Sequence, residues 1–313
     1  MTSAPRWTGL SACSPVPKRK RAEMEALPRL KARIANLHEL QTLIRALRAL
    51  AGSHVQEAQS ALTGILSYVD AVEDAIAEGV GLLPEIGSFI GGRGTNARVL
   101  MVVCAEHGFV GAFNDRLLDR AEAELEDLSA DWKLAVVGRR GAMLAEERGL
   151  PIDWTFTMAT YVGGVLSVTR HLADAMRMAT KARIVYGAYR AGGNFEIEVK
   201  DILPLDPSIL ARSGRGSPPL HHLPPAVLLE RLAGEYLFAE ITRAVMQSLA
   251  SENAARLRVM EAADHNIGDK LDTLGKTERA LRQEAITAEL LDVITGSEAV
   301  LEHPDRPSDG SGS

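Results

Sequence analysis

Two glycine-bearing stretches are where this 313-residue chain could bind phosphate, since backbone N–H groups that open onto a helix N-terminus attract anions. His107-Gly-Phe-Val-Gly-Ala112 and Gly138-Arg-Arg-Gly141 each follow an apolar run of strand length. Neither has the G-x-G-x-x-G spacing of a dinucleotide loop, and G-x-x-x-x-G-K-[ST] does not occur. Tight strand-to-helix turns use glycine in any case, because it tolerates φ > 0. Both stretches therefore read as turns. His221-His222 could ligate a metal, but adjacent histidines in a Pro-rich loop without a nearby carboxylate read as solvated. Cys13 and Cys104 stand far apart and read as free thiols in a reducing compartment. No nucleophile announces itself beside a base, and no carboxylate pair lies in a glycine-rich or loop context. Arg256, Arg258, Glu261 and Asp264 fit solvated or ion-pairing positions on a long helix. The residues predict no catalytic centre, no cofactor and no metal.

The elements around these residues are unusual. From Pro225 to Gly296 nothing breaks a helix strongly except Gly234, Gly268 and Gly275. At about 1.5 Å per residue, roughly 70 residues make a rod of about 105 Å, longer than a globular domain is wide. A proline fits the first helical turn, and Gly296 is placed to close the helix as a left-handed C′ residue. Leu229, Leu232, Tyr236, Ala239, Met246, Ala250, Leu257, Met260, Ile267, Leu271, Leu274, Leu281, Ala285 and Ala288 follow a seven-residue period. That period keeps one seam facing a partner helix, as in a left-handed coiled coil. Arg243, Asn253, Asp264 and Glu278 interrupt the seam. A second heptad helix runs from about Leu30 to Val80 through Ile34, Leu37, Gln41, Ile44, Arg48, Ala51, Val55, Ala58, Leu62, Ile65, Val69, Val72 and Ile76. Gln41 and Arg48 on this seam would fix register, while Ala51 and Ala58 permit close backbone approach.

Between the two helices, buried strands alternate with helical stretches, the pattern of a doubly wound sheet. Strands are expected at 98–104, 133–137, 182–186 and 195–199, with the last two joined through Gly192-Gly193-Asn194. Helices are expected at Asn114–Leu128, with Asn114 as N-cap, at Ala142–Arg148 and at Val165–Ala179. The fold class is α/β: an antiparallel coiled coil of long N- and C-terminal helices with an inserted Rossmann-like α/β domain. The expected organisation is a disordered basic extension at 1–24, the first long helix at 25–80 and a loop to 96. The α/β domain follows at 97–205, then a loop at 206–224, the second long helix at 225–296 and a disordered tail at 297–313. A formal charge of −6 argues against a general nucleic-acid binder, and no apolar run spans a membrane.

Stretches near the start, after the first expected strand and at two points of the last long helix resemble the gamma subunit of the F-type ATP synthase, its central rotor shaft. Leu43-Ile-Arg-Ala-Leu-Arg-Ala-Leu-Ala51 is similar to I-T-K-A-M-x-M-V-A, and Gly108-Phe-Val-Gly-Ala-Phe-Asn114 to G-L-C-G-x-F-N, with Gly108, Gly111, Phe113 and Asn114 matched. Ala250 to Asn266 follows A-S-E-x-x-A-R-M-x-A-M-x-x-A-T-x-N, matching Ser251, Glu252, Arg256 and Met260. Arg282 to Leu291 follows R-Q-x-x-I-T-x-E-[IL], matching Ile286, Thr287 and Glu289. The resemblance covers roughly Leu27 to Leu301. Leu47-x-Ala49 departs from the family's Met-x-Met, and Glu278-Arg279-Ala280 from its Y-N-[RK]. These departures point to a divergent bacterial branch, with the alternative sodium-type ATPase as one candidate.

The resemblance implies a non-catalytic shaft that couples ion flow through the membrane sector to ATP synthesis or hydrolysis at the beta subunits. It implies one copy per complex, with the alpha and beta subunits, the epsilon subunit and the ring of c subunits as partners. It also implies a peripheral place on the cytoplasmic face of the bacterial inner membrane, held through partners. Contacts with beta are implied at Arg282, Gln283, Arg279, Glu278, Arg45 and Arg48. The rival readings are a coiled-coil scaffold or adaptor with an α/β domain, and a small α/β nucleotide-binding enzyme.

Overall fold

A strand covered on both faces needs apolar residues at every position. Val99 to Val103 supply them, and they form the core of β1 (Ala97–Val103), the central strand of the sheet. The structure is a computed structural model that describes residues 18–82, 97–128, 131–190, 192–211 and 220–301. The other strands are β2 (Trp132–Val137), β3 (Ile152–Phe156), β4 (Ala179–Arg190) and β5 (Asn194–Leu203), and the order across the sheet is β3-β2-β1-β4-β5. All neighbouring pairs are parallel except β4–β5. That antiparallel turn holds Gly192 at φ 82° and Gly193 at φ 78°, values that cost glycine little.

Alternation along β1 divides the core. Val99, Met101 and Val103 share one cluster with Leu172 and Met176 of α4 (Val165–Met176). Leu100, Val102 and Cys104 share the other with Leu117 and Leu118 of α2 (Phe113–Asp127) and with Ala142 and Ala145 of α3 (Arg139–Glu147). After β5 comes the short α5 (Pro207–Ala211). The two long helices are α1 (Lys18–Val80) and α6 (Pro225–Leu301).

The chain divides into two compact units. The larger is Ile44–Ala263, and the smaller comprises the described parts of Met1–Leu43 and Asp264–Ser313. The divisions fall inside α1 and α6, not in loops. Within the larger unit, Leu237, Ile241, Val245 and Leu249 of α6 join the first sheet cluster together with Ala58 and Leu62 of α1. Val72, Ile76 and Val80 of α1 meet Leu229 and Tyr236 of α6 in a further cluster. Within the smaller unit, Gln41 Nε2 donates to Asp264 Oδ1 at 3.0 Å, so two polar residues of the heptad seams find each other. Ile34, Leu37, Ile267, Leu271, Leu274 and Leu281 are half-buried there.

Several expectations are corrected. Asn114 does not cap α2, which starts one residue earlier from Ala112; the Asn114 side chain turns inward and accepts the Ala105 N–H at 2.9 Å. β3 was not expected, because its alternation is masked by Asp153 and by the exposed Trp154 and Thr155. β4 and β5 are longer than their apolar cores, since polar residues on the solvent side of a hairpin extend its ladder. α1 begins by Lys18, seven residues before the expected 25, and the helix accommodates Pro28. α6 runs through Gly296 to Leu301, so Gly296 does not end it; an interior glycine costs a helix only about 1 kcal/mol relative to alanine. The expected extension up to residue 17, most of the 81–96 loop, residues 212–219 and the tail from 302 lie outside the described residues, as does Cys13. Among the described residues no helix is long and apolar enough to cross a membrane.

Candidate functional site

In a doubly wound sheet the place for a ligand is the crevice outside the carboxyl ends of the strands, where strand order reverses. Here that point lies between β1 and β4, which follow different connections on either side of the sheet. The chain fills it with its own helix. Ser248 Oγ donates to the Val103 carbonyl at 2.7 Å, and Ser251 Oγ donates to the Gly187 carbonyl at 2.9 Å. Val103 ends β1, and Gly187 follows its β4 partner Tyr186. The approach requires glycine at 187: a Cβ there would stand 2.7 Å from the Phe113 ring and 3.1 Å from Ser251 Cβ. Ala250, Ala254 and Ala255 keep α6 slim enough to enter.

The loop after β1 wraps this junction. Asn114 ties its start through the bond to Ala105 N, and Phe113 packs edge-on against Phe195 at 5.1 Å. Gly111 adopts φ 57° and faces Val259 of α6, whose Cγ2 would lie 3.3 Å from a Cβ. Phe109, at φ 62° and 71% exposed, presents its ring to solvent. Arg256 binds the loop to the helix: its Nη2 donates to Glu252 Oε1 at 2.6 Å and reaches the Gly108 carbonyl at 3.4 Å. Its Nη1 donates to Asn253 Oδ1 at 3.1 Å. Met260 is buried one turn further on.

Two acids lie in the junction. Glu252 is only 3% exposed, and burial pushes its carboxyl up to about 7, against the pull of Arg256 and with a further push from Glu106. Its Oε1 is taken by Arg256, while Oε2 has no hydrogen-bond partner among the described residues. Glu106 behaves oppositely. Burial works against its charge, but the backbone N–H of Met158, the Arg139 side chain and the Arg139 N–H outweigh it and hold the carboxyl below its ordinary value. Glu106 thereby ties together the segments that follow β1, β2 and β3. The Cys104 thiol beneath is pushed far up, first by burial and then by Glu252, and is chemically quiet.

The late stretch of α6, in the smaller unit, is of another kind. Arg282 pairs with Glu278 one turn back at 2.6 Å, and Arg279 Nε donates to the Gly275 carbonyl at 3.2 Å. Thr287 Oγ1 donates to the Gln283 carbonyl at 2.9 Å. Arg279, Arg282, Gln283, Thr287 and Glu289 are exposed. So are Ile286, Leu290, Leu291, Val293 and Ile294, a run of large apolar side chains open to solvent. On α1, in the larger unit, Arg45 is exposed and Arg48 half-buried, and both already have interaction partners.

The motif residues thus fall into two sets. Gly108, Gly111, Phe113, Asn114, Ser251, Glu252 and Arg256 converge on one junction, whereas Arg282, Gln283, Ile286, Thr287 and Glu289 belong to the exposed stretch. Sequence reasoning missed Glu106, Gly187 and Ser248. A lone acid directly after a fully apolar strand was the signal for Glu106; the other two gave none. His221 and His222 are exposed, with His221 Nδ1 at 2.8 Å from the Leu223 carbonyl, and the described residues hold no cluster of metal-ligating side chains.

Residues 26–300 match the family model described as ATP synthase. The chain is 28% identical to the ATP synthase gamma chain of Sorangium cellulosum, over 89% of this chain and all of that one. It is 26% identical to the ATP synthase gamma chain of Acaryochloris marina, over 88% of this chain and all of that one. Its fold is similar to a chain in the rotor of Euglena gracilis mitochondrial ATP synthase, with a TM-score of 0.58 at 14% identity, covering 84% of this chain and 99% of that one.

Proposed function

The chain belongs to the ATP synthase family as a gamma chain, and from that premise we propose that it works as the turning shaft of the central stalk. It is not itself catalytic; it is a rotor subunit of the complex. The observation that carries the reading is the filled crevice: the site where such a sheet would hold a nucleotide is occupied by α6 through Ser248 and Ser251. The sheet is a mount for a helix. That arrangement also removes the site which the enzyme reading needs.

In this reading α1 and α6 run as an antiparallel coiled coil inside a ring of three alpha–beta pairs. The heptad spacing and the Gln41–Asp264 bond support the pairing. An asymmetric shaft that turns in such a ring presses on each beta subunit in sequence, and so couples rotation to synthesis or hydrolysis. The α/β domain holds the epsilon subunit and the ring of c subunits, and the chain attaches peripherally, through these partners, to the cytoplasmic face of the bacterial inner membrane. Arg282 and Gln283, with Arg279, Glu278, Arg45 and Arg48, face the beta subunits. The planar fork of Arg282 and the donor–acceptor amide of Gln283 suit a carboxylate-bearing loop.

The test is the assembled complex with Arg282→Ala and with Arg282→Ala/Gln283→Ala. Arg282 is exposed and its pair with Glu278 is solvated on that side, so its loss changes stability by about 0.5 kcal/mol or less. A desolvated charged contact with a partner is worth roughly 2–5 kcal/mol, which is tenfold or more in rate. The expected outcome is normal assembly with altered ATP hydrolysis and altered ATP-driven ion pumping. Unchanged turnover and coupling in the double variant would remove these two residues from the contact.

A further inference from the structure

The Glu252 carboxyl lies inside the junction of α6 with the sheet, where one oxygen is held by Arg256 and the other meets no donor among the described residues. A buried carboxylate oxygen without a donor carries a large desolvation penalty, which vanishes when the group is neutral. The titratable and charged groups on the elements around the junction can be named, although Arg256 and Glu106 are the ones that act on Glu252. Its own helix supplies Arg256 and the neutral Asn253. β1 and the loop after it bring Cys104, Glu106 and the exposed His107. From α3, Arg139 engages Glu106, and Arg148, which caps its end, is occupied by Asp115, Asp119 and Glu122. β4 brings Gly187 to the junction, and its Arg190 is taken by Glu196 and Glu198. Arg256 is thus the cation in contact with Glu252, and Glu106 is a second acid close enough to oppose its ionisation.

We propose that Glu252 makes the seating of α6 on the sheet proton-sensitive: uncharged, it lets the junction close, and ionised, it loosens the hold of α6 on the loop after β1. The direction follows from linkage. The folded carboxyl titrates near 7, above its ordinary value of 4.5, so its contribution is fully present below the unfolded value and is lost as pH rises through about 7. For one group with these two values, the tendency of the junction to open increases about tenfold between pH 6 and pH 8. The mechanical consequence rests on the shaft reading: rotation that passes between sheet and helix through this junction is transmitted less stiffly at the alkaline end.

The experiment is amide hydrogen exchange on the assembled complex at pH 6, 7 and 8, corrected for the intrinsic pH dependence of exchange. The readout is peptides covering 104–114 and 248–256. The wild-type chain should show about tenfold more opening at pH 8 than at pH 6. Glu252→Gln, which keeps the shape without the titration, should abolish that slope. Glu106→Gln, which removes the opposing acid, should move the transition to lower pH. A wild-type profile without slope overturns the proposal, and so does a slope that survives in Glu252→Gln. If Glu252→Gln does not assemble, Glu106→Gln decides alone, and an unmoved transition overturns the proposal. A missing slope would leave the shaft reading intact, while a silent Arg282/Gln283 double variant would leave the exchange slope intact.

Discussion

Two stretches of α6 differ in what surrounds them. From Tyr236 to Ala255 nearly every residue is buried, including Thr242, Ser248, Ser251, Glu252 and Asn253. From Glu278 to Ile294 the best covered positions, Glu278, Leu281 and Ala288, are only half-buried, and all other positions are exposed. The first stretch is covered all round, with small residues where backbone must approach, which marks a helix enclosed by its own protein. The second has an apolar seam with large aliphatic residues also on the outer side. Apolar exposure of that extent belongs to surfaces that meet other molecules. The same helix is therefore structural over one part of its length and presented outward over another. Substitutions should separate the two by the quantity they change.

The largest effect belongs to the enclosed stretch. Leu249 is 0% exposed and packs in the main cluster, whereas Leu290 is 59% exposed. Leu249→Ala loses transfer energy and leaves a cavity, at a cost of about 2–5 kcal/mol. Leu290→Ala should stay within about 0.5 kcal/mol. Denaturant melts of the two variants, followed by circular dichroism, check the pair; similar costs would break the contrast.

The next effect tests how closely helix and sheet approach. Gly187→Ala places a Cβ 2.7 Å from the Phe113 ring and 3.1 Å from Ser251 Cβ. Neither neighbour is free to retreat, because Phe113 is locked against Phe195 and Ser251 bonds the Gly187 carbonyl. Overpacking of this kind costs about 1–3 kcal/mol. The same melts measure it, and exchange at 248–256 should rise with it. A neutral Gly187→Ala would mean that α6 is not seated tightly on β4.

Much of this contrast was legible in the chain. The positions of α1 on the seven-residue period are buried or half-buried from Ile34 to Ile76. Leu237, Ile241, Ala244, Val245 and Leu249 lie off the seam of α6, and the structure buries them in the sheet cluster, so α6 is covered on more than one side there. What the chain did not disclose were long-range polar pairings. Asn114 has the residue type of an N-cap and instead serves Ala105, because the buried N–H of Ala105 just after β1 needs an acceptor. Ser248 and Ser251 look like neutral helix residues until the sheet places two carbonyls beside them. The strand β3 was hidden because an edge strand with solvent on one side carries polar residues that erase its period.

The smallest expected effect is the sharpest test of the exposed stretch. Thr287 is exposed, and its hydroxyl bonds back to the Gln283 carbonyl at 2.9 Å, a contact that adds little to a helix. Alanine has the better helix propensity, so Thr287→Ala should stabilise the chain by about 0.5 kcal/mol. If the stretch is presented to a partner, the same substitution removes a hydroxyl and a methyl from that surface, and ATP turnover of the assembled complex should fall while the melting midpoint rises. Structural roles lose stability and activity together; opposite signs in the two measurements identify a residue kept for function at some expense of the fold. Raised stability with unchanged turnover would make Thr287 an ordinary surface position.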